Sequence, residues 1–404
     1  MQISRLNEIL FKILYLAAAG IVISQTLELD QITSLLFSGT FIIVLVIWLI
    51  SAYLHLNHGD VFLMFTLAVA FLCICLESTM THTTITGWYI KKFVCFACTM
   101  IFFQIVFKMK CNERFQIFYH RLNLTVAIVL FAVFLMKGKA LYVMNGMTVR
   151  YLTFGFTNPN LTAMFLSCIG MTEYIEAFQK TKKNVRLLHF FFGIMMTYFV
   201  YETESRNCLL IMLMFIAMLI YTGLKHEVHF GKKTIFIIVL WPLIFAAIYL
   251  YAVDQSWFKE MFSFLVSEGK DIASRESIWK LALQELIRSP IFGAYGEISG
   301  GTGEFQLHNT HLDLLVSYGV VTFIMVFRFL YKNLYLFASR INEKTFTLYF
   351  NGFIAAYLMG MGEAALFSGG LAIHLFVCGF LILSKTEMKN DAQKRITEGK
   401  VLSE

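Results

Sequence analysis

TIFIIVLWPLIFAAIYLYAV, residues 234–253, places no charged side chain in its whole length. An α-helix over such a stretch reaches about 30 Å, the thickness of a bilayer's hydrocarbon core. Runs of similar character recur at 9–27, 32–54, 61–78, 92–108, 122–137, 160–177, 187–201, 208–224, 311–331, 346–361 and 366–384. The chain is 58% hydrophobic and 15% charged with three prolines, more apolar surface than a soluble fold of 404 residues buries. These features predict an all-α polytopic membrane protein with about twelve transmembrane helices, residues 1–404 forming one integral membrane domain.

Orientation follows from Lys and Arg, which are retained in cytoplasmic connections. With the N-terminus inside, 22 of the 33 basic residues fall on the cytoplasmic side, so both termini are expected there, the charged tail 385–404 included. The net charge of +7 follows from this topology and calls for no nucleic-acid partner. The first apolar run has a short, weakly basic leader and no small-residue cleavage site after it, and reads as a retained helix. Seven of the eight cysteines lie in or beside apolar runs, with Cys111 in a loop, which makes no disulfide framework. Cys95 and Cys98, a CxxC without a second pair, read as small packing residues.

Beyond Val253 the character changes. Residues 254–310 form an outer connection too long to be a mere link. In it RESIWKLALQELIR, residues 275–288, puts Ile278, Ala282 and Leu286, with Leu281 beside them, on one helical face. Glu276, Lys280, Gln284, Glu285 and Arg288 take the other face, Ser274 suits the N-cap and Pro290 stops the helix. This extracytoplasmic loop is thus predicted to carry an amphipathic helix lying along the membrane surface. Gly293, Gly296, Gly300, Gly301 and Gly303 then predict a flexible loop that delivers His308-Asn309-Thr310-His311 to the mouth of an apolar helix beginning at Leu312.

Two shorter outer connections also concentrate polar residues. Lys137–Asn158 ends in RYLTFGFTNPN, residues 150–160, where Asn158 before Pro159 predicts a capped helix start, and Arg150 beside that positive end suits an anion. YETESRN, residues 201–207, brings Arg206 to the start of another span, where it either pairs with Glu202 or Glu204 or contacts a phosphate. Glu77 and His82, at the outer mouth of the third span, are candidates to line a cavity or simply to reach water.

Gly-Lys pairs at 138, 231 and 399 lack the rest of a phosphate-binding loop, and the glycines near Gly300 follow no strand, so no nucleotide fold is expected. His308, His311 and Asp313 lack a further ligand for a metal. No cofactor is implied. Three outer arginines with an outer histidine suit a different chemistry. Guanidinium groups hold a pyrophosphate and stabilise it as it leaves, while a neutral imidazole takes the proton of an attacking hydroxyl.

In order and topology, GFTNPNLTAMFL (155–166), ESRNCLL (204–210), RESIWKLAL with SPIFGAYG (275–283 and 289–296) and HNTHLDLLVSYG (308–319) resemble the O-antigen ligase and polymerase superfamily. The resemblance covers residues 150–320. It implies a metal-independent glycosyltransferase in the bacterial cytoplasmic membrane, with its active site on the outer face and undecaprenyl-pyrophosphate-linked oligosaccharides as substrates. A flippase and a chain-length regulator are the partners it implies. It assigns Arg206 and Arg275 to the pyrophosphate and His308 to the base, with Arg150, Asn158, Asn160, Arg288, Asn309 and His311 around the substrate. His311 departs from the family pattern and leaves two histidines as alternatives for the base. A repeat-unit polymerase of the Wzy-dependent type is the first expectation. A ligase with lipid A core or another acceptor is the second. A lipid-linked glycan transporter is the third, and it predicts charges lining a path through the helices, whereas the polar residues gather on one side.

Overall fold

The computed structural model describes residues 2–54, 56–82, 85, 87–108, 113–138, 140–144, 147–156, 158–224, 230–261, 273–294, 307–339, 344–363, 367 and 373–384. The tail 385–404 and the glycines at 296, 300, 301 and 303 lie outside the described residues. Five helices come first: α1 Gln2–Thr26, α2 Asp30–Leu54, α3 His58–Thr81, α4 Gly87–Lys108 and α5 Glu113–Lys137. A hairpin of β1 Ala140–Met144 and β2 Met147–Tyr151 follows, then α6 Pro159–Gln179, α7 Lys183–Glu202, α8 Arg206–Leu224 and α9 Lys232–Val253. The long connection contributes α10 Ser256–Met261 and α11 Ala273–Arg288. The chain then runs through α12 Thr310–Ala338, α13 Lys344–Leu358, a 3-10 turn Met359–Met361 and the short apolar helix α14 Ile373–Ser384.

Eight of these, α1 to α5, α8, α9 and α12, are long and apolar enough to cross a membrane. Large apolar side chains such as Leu35, Leu49, Phe65, Met136, Leu213 and Ile324 stand exposed along them, a surface suited to lipid and not to water. The molecule is a polytopic α-helical membrane protein. Helices α6 and α7 coincide with the expected runs 160–177 and 187–201, but they carry charge, and α6 buries both Glu173 and Glu176. Asp60 and Asp313 are buried as well, so the helices hold more buried charge than the sequence reading allowed. Close approach of α6, α7 and α8 depends on missing side chains. A Cβ on Gly170 would lie 2.6 Å from Met212 Cε, and one on Gly193 would lie 2.8 Å from the Tyr174 ring.

Helix α12 is interrupted. Gly319 has φ 76° and ψ 172°, and the His311 ring packs against Phe323 with centroids 5.7 Å apart. In a straight helix twelve residues separate two positions by about 18 Å, so α12 bends sharply into a short N-terminal part and a longer crossing part. The turn after α11 fills the break. Ala294 N–H donates to Val316 O at 2.8 Å, and Val320 N–H donates to Pro290 O at 2.9 Å, so backbone groups released by the bend are satisfied within protein. Gly293 (φ 84°) faces Gly319 there, and a Cβ on Gly319 would come 2.9 Å from Gly293 N and collide with Ile291 O. Gly293 therefore belongs to a tightly packed joint and not to the flexible loop expected from the glycine run.

Two further expectations for α11 change. The helix starts at Ala273, which puts Ser274 inside its first turn and not at the cap. Its buried face is Trp279, Ala282 and Glu285, while Leu281 is exposed. Trp279 packs edge-on against Tyr249 of α9 and donates its indole N–H to Leu307 O. Ala282 is buried and Ile278 and Leu286 pack beside it, as the pattern predicts, and Trp279 joins that face because its indole N–H there meets a carbonyl that satisfies it.

Candidate functional site

The break in α12 and a second irregularity, Pro242 within α9, together position the histidines. Proline lacks an N–H and leaves the α9 ladder incomplete. Side chains serve its own carbonyl and one in the preceding turn. Tyr357 of α13 donates its hydroxyl to Val239 O at 3.0 Å, and Asn309 Nδ2 donates to Pro242 O at 2.7 Å. Asn309 also donates to Met361 O at 3.1 Å and caps α12 by accepting the N–H groups of His311 and Leu312 at 3.1 and 2.9 Å. All four hydrogen-bonding positions of its amide are filled and the residue is fully buried. Asn309 is a structural clamp with nothing left to offer a substrate, which corrects its placement among the substrate-binding residues.

His311 is enclosed and not saturated: its Nδ1 is buried without a hydrogen-bond partner among the described residues. It is 2% exposed, its Nε2 lies 3.0 Å from the Tyr357 hydroxyl, and its ring is enclosed by Tyr357 and Phe323. His308 is the accessible imidazole, with 28% of its side chain exposed. It sits in the left-handed region at φ 47° and brings Nδ1 within 3.1 Å of Oε2 of the buried Glu363. Thr310 Oγ1 donates to Glu363 O at 3.0 Å, so the same turn is held at side chain and backbone. With Nδ1–H donating to the carboxylate, Nε2 keeps its lone pair as a proton acceptor. Among the described residues no group of three His, Cys, Asp or Glu side chains is placed to hold a metal.

The turn that carries Glu363 also meets the start of α8. Asn207 Nδ2 donates to Met359 O at 3.0 Å, and a Cβ on Gly362 would lie 2.7 Å from Asn207 Cγ. Arg206, the preceding residue, is therefore brought to the same end of the bundle as His308. It is exposed, and among the described residues it makes no ion pair, with Glu202, Glu204 or any other carboxylate. Leu152 N–H donates to Glu202 O at 3.1 Å, which ties the end of the hairpin to the α7–α8 turn. Arg150 lies two residues earlier, opposite Leu141 in the β1–β2 register. Its side chain lies outside the described residues, as does that of Arg275 in the first turn of α11. One turn past Arg275, the Trp279 bond to Leu307 fixes that helix to the residue before His308.

The remaining candidates are less central. Asn158 caps α6 by accepting the N–H of Asn160 at 2.9 Å, with Pro159 in the first position, as the sequence predicts. Asn160 is half-buried in that first turn. Arg288 stands at the far end of α11, about 20 Å along its axis from Arg275, and is held by Glu285 at 2.8 and 3.1 Å. Glu77 is buried and His82 is exposed at the left-handed C-cap of α3. Sequence reasoning missed one pair altogether. Lys92 of α4 reaches Asp313 Oδ1 at 2.8 Å and Ser317 Oγ at 2.7 Å, both on the first part of α12. The i, i+4 spacing of Asp313 and Ser317 was the only available signal, and nothing local points from it to Lys92.

Class is thus defined: a polytopic helical membrane protein in which, among the described residues, an accessible histidine–carboxylate pair and an arginine without an ion pair gather at one end. Compared with known proteins, the chain matches no family model, no curated protein and no solved structure.

Proposed function

We propose that the protein is a metal-independent membrane glycosyltransferase that polymerises lipid-linked oligosaccharide repeat units. The observation that carries this reading is the His308–Glu363 pair, its imidazole 28% exposed and close to the α8 start, where among the described residues Arg206 has no carboxylate. The donor is an undecaprenyl-pyrophosphate-linked glycan and the acceptor a second lipid-linked repeat unit. The acceptor hydroxyl loses its proton to His308 Nε2 and its oxygen bonds to the anomeric carbon. The bond from that carbon to the phosphate oxygen breaks, and the pyrophosphate leaves with the electron pair, its charge met by Arg206 and Arg275, with Arg150 nearby. Glu363 orients the imidazole and stabilises it once charged.

In this reading all twelve apolar segments, α6, α7, α13 and α14 included, pass through or into the bilayer. Both termini are cytoplasmic, and the site opens on the outer face of the bacterial cytoplasmic membrane. The bias of Lys and Arg supports that orientation. The four sequence elements that resemble the O-antigen ligase and polymerase superfamily support the reaction class. A ligase differs only in acceptor, and a transporter only in lacking transfer.

The test is a reaction of purified protein with synthetic undecaprenyl-pyrophosphate-linked repeat unit, with chelator and without nucleotide. A ladder of longer glycans made by the wild type and not by His308→Ala is the expected result. Product appearing only when lipid A core is added replaces polymerase with ligase. Movement of the lipid across vesicles without any transfer overturns the enzyme reading.

A further inference from the structure

At the end of the bundle opposite His308, α5 begins nine residues earlier than hydropathy alone suggested, and this carries Arg114 and Arg121 onto one helix face. Their seven-residue spacing sets them two turns apart on that face. Between them lies a groove of about 320 Å³ lined by Arg114, Ile117, Phe118, Arg121, Leu122 and Thr125. Its floor is apolar and its two margins are cationic. Both arginines are exposed, and among the described residues neither has a carboxylate partner. Lys12 of α1, 5.9 Å from the Phe118 ring, is neutralised by Glu8 at 2.6 Å, so that carboxylate is already engaged. The Thr125 hydroxyl is taken by Arg121 O at 2.8 Å.

Arg121 is the telling residue. It lies seven residues inside a segment apolar enough to cross the membrane, Arg114–Lys137, about 10 Å along the axis from its start, and it faces outward from the protein. A guanidinium in that position is costly unless it snorkels to the interface and finds an anion there. Among the described residues no carboxylate meets it, and the surrounding lipid is the remaining source of an anion.

We infer that this groove is a binding site for the phosphate headgroup of an anionic phospholipid, held between Arg114 and Arg121. One acyl chain lies over Ile117, Phe118 and Leu122. Guanidinium groups suit phosphate because they donate in a planar fork, and the apolar floor selects a lipid over a free anion. The site is remote from the proposed chemistry and does not depend on the transfer reaction.

Native mass spectrometry of the delipidated full chain in detergent tests it, titrating phosphatidylglycerol against phosphatidylcholine. The wild type is expected to retain one phosphatidylglycerol at about 30-fold lower concentration than phosphatidylcholine, the effect of two arginines on an anionic headgroup. The Arg114→Gln/Arg121→Gln double variant should lose that preference, while Arg121→Lys, which keeps the charge, should retain most of it. Circular dichroism is expected to be unchanged in both, because both side chains are exposed. Equal binding of the two lipids by the wild type, or an unchanged preference in the double variant, overturns the site. So does displacement of the lipid by millimolar inorganic phosphate, which would make it a free-anion site.

Discussion

Three histidine–carboxylate pairs occur among the described residues, and they differ in what surrounds them. His189 Nδ1 lies 2.7 Å from Glu173, whose other oxygen takes Asn123 Nδ2 at 2.9 Å. His120 Nε2 lies 3.1 Å from Glu176, which also accepts Tyr349 at 3.0 Å and Lys180 at 2.6 Å. These two pairs sit in the second half of α6, two-thirds of its length from the end that meets the hairpin, and tie α5, α7 and α13 to it. Their histidine side chains are 8% and 10% exposed, against 28% for His308. The same chemical pair is structural mortar where neighbouring helices bury it, His120 keeping even an unpartnered Nδ1 out of reach, and a candidate base where the imidazole is accessible. Identity of residues does not distinguish them. Access does.

That contrast can be broken by substitution. The largest effect is expected for His308→Ala, which should lower glycan transfer by about 10⁴-fold, or ~5 kcal/mol, with the melting temperature in detergent unchanged. A fall in stability in step with activity would place His308 with the mortar. The reverse pattern is expected for Glu173→Ala. Leaving His189 and Asn123 without their acceptor should cost about 4 kcal/mol of stability in a chemical melt. Transfer measured on the fraction that remains folded should stay near the wild-type rate.

A smaller effect tests the joint that positions His308. Gly319→Ala should cost about 3 kcal/mol, since the new methyl collides with Ile291 O and the residue must hold φ 76°. Limited proteolysis should then cleave the 289–294 turn more readily than in the wild type. A stable Gly319→Ala protein with an unchanged cleavage pattern would show that the break in α12 closes without loss. The smallest effect is expected at the arginine. Arg206→Lys keeps the charge and loses the planar fork, so transfer should fall by about tenfold through KM for the pyrophosphate donor. A change confined to folding would assign Arg206 to structure.

Most helices were legible in the sequence to within a few residues. Residues 208–224 became Arg206–Leu224 and 234–253 became Lys232–Val253, because a bilayer leaves a backbone no economical alternative to helix. The prediction weakened where that constraint was relieved by protein. The run 311–331 gave no sign that the helix bends at Gly319, because the groups that satisfy the bend come from Pro290 and Ala294 of another segment. His308 and His311 were both candidates in the sequence, and which of them is accessible was not readable. Both stand in HNTH, and only the packing of Tyr357 and Phe323 encloses one and not the other. The contact of Glu363 with His308 was not readable either, since 55 residues intervene.

What the sequence determined by itself was the solvent of this protein and the positions of its helices. Hydropathy and backbone satisfaction are local properties, summed over twenty residues at a time, and they need no knowledge of neighbours. What only the tertiary structure decided was which polar groups are spent and which remain free. Asn309 is spent on Pro242 and Met361 and His311 is walled in by Tyr357 and Phe323, while His308 and Arg206 stay accessible, because partners and walls far away along the chain are brought close only by packing.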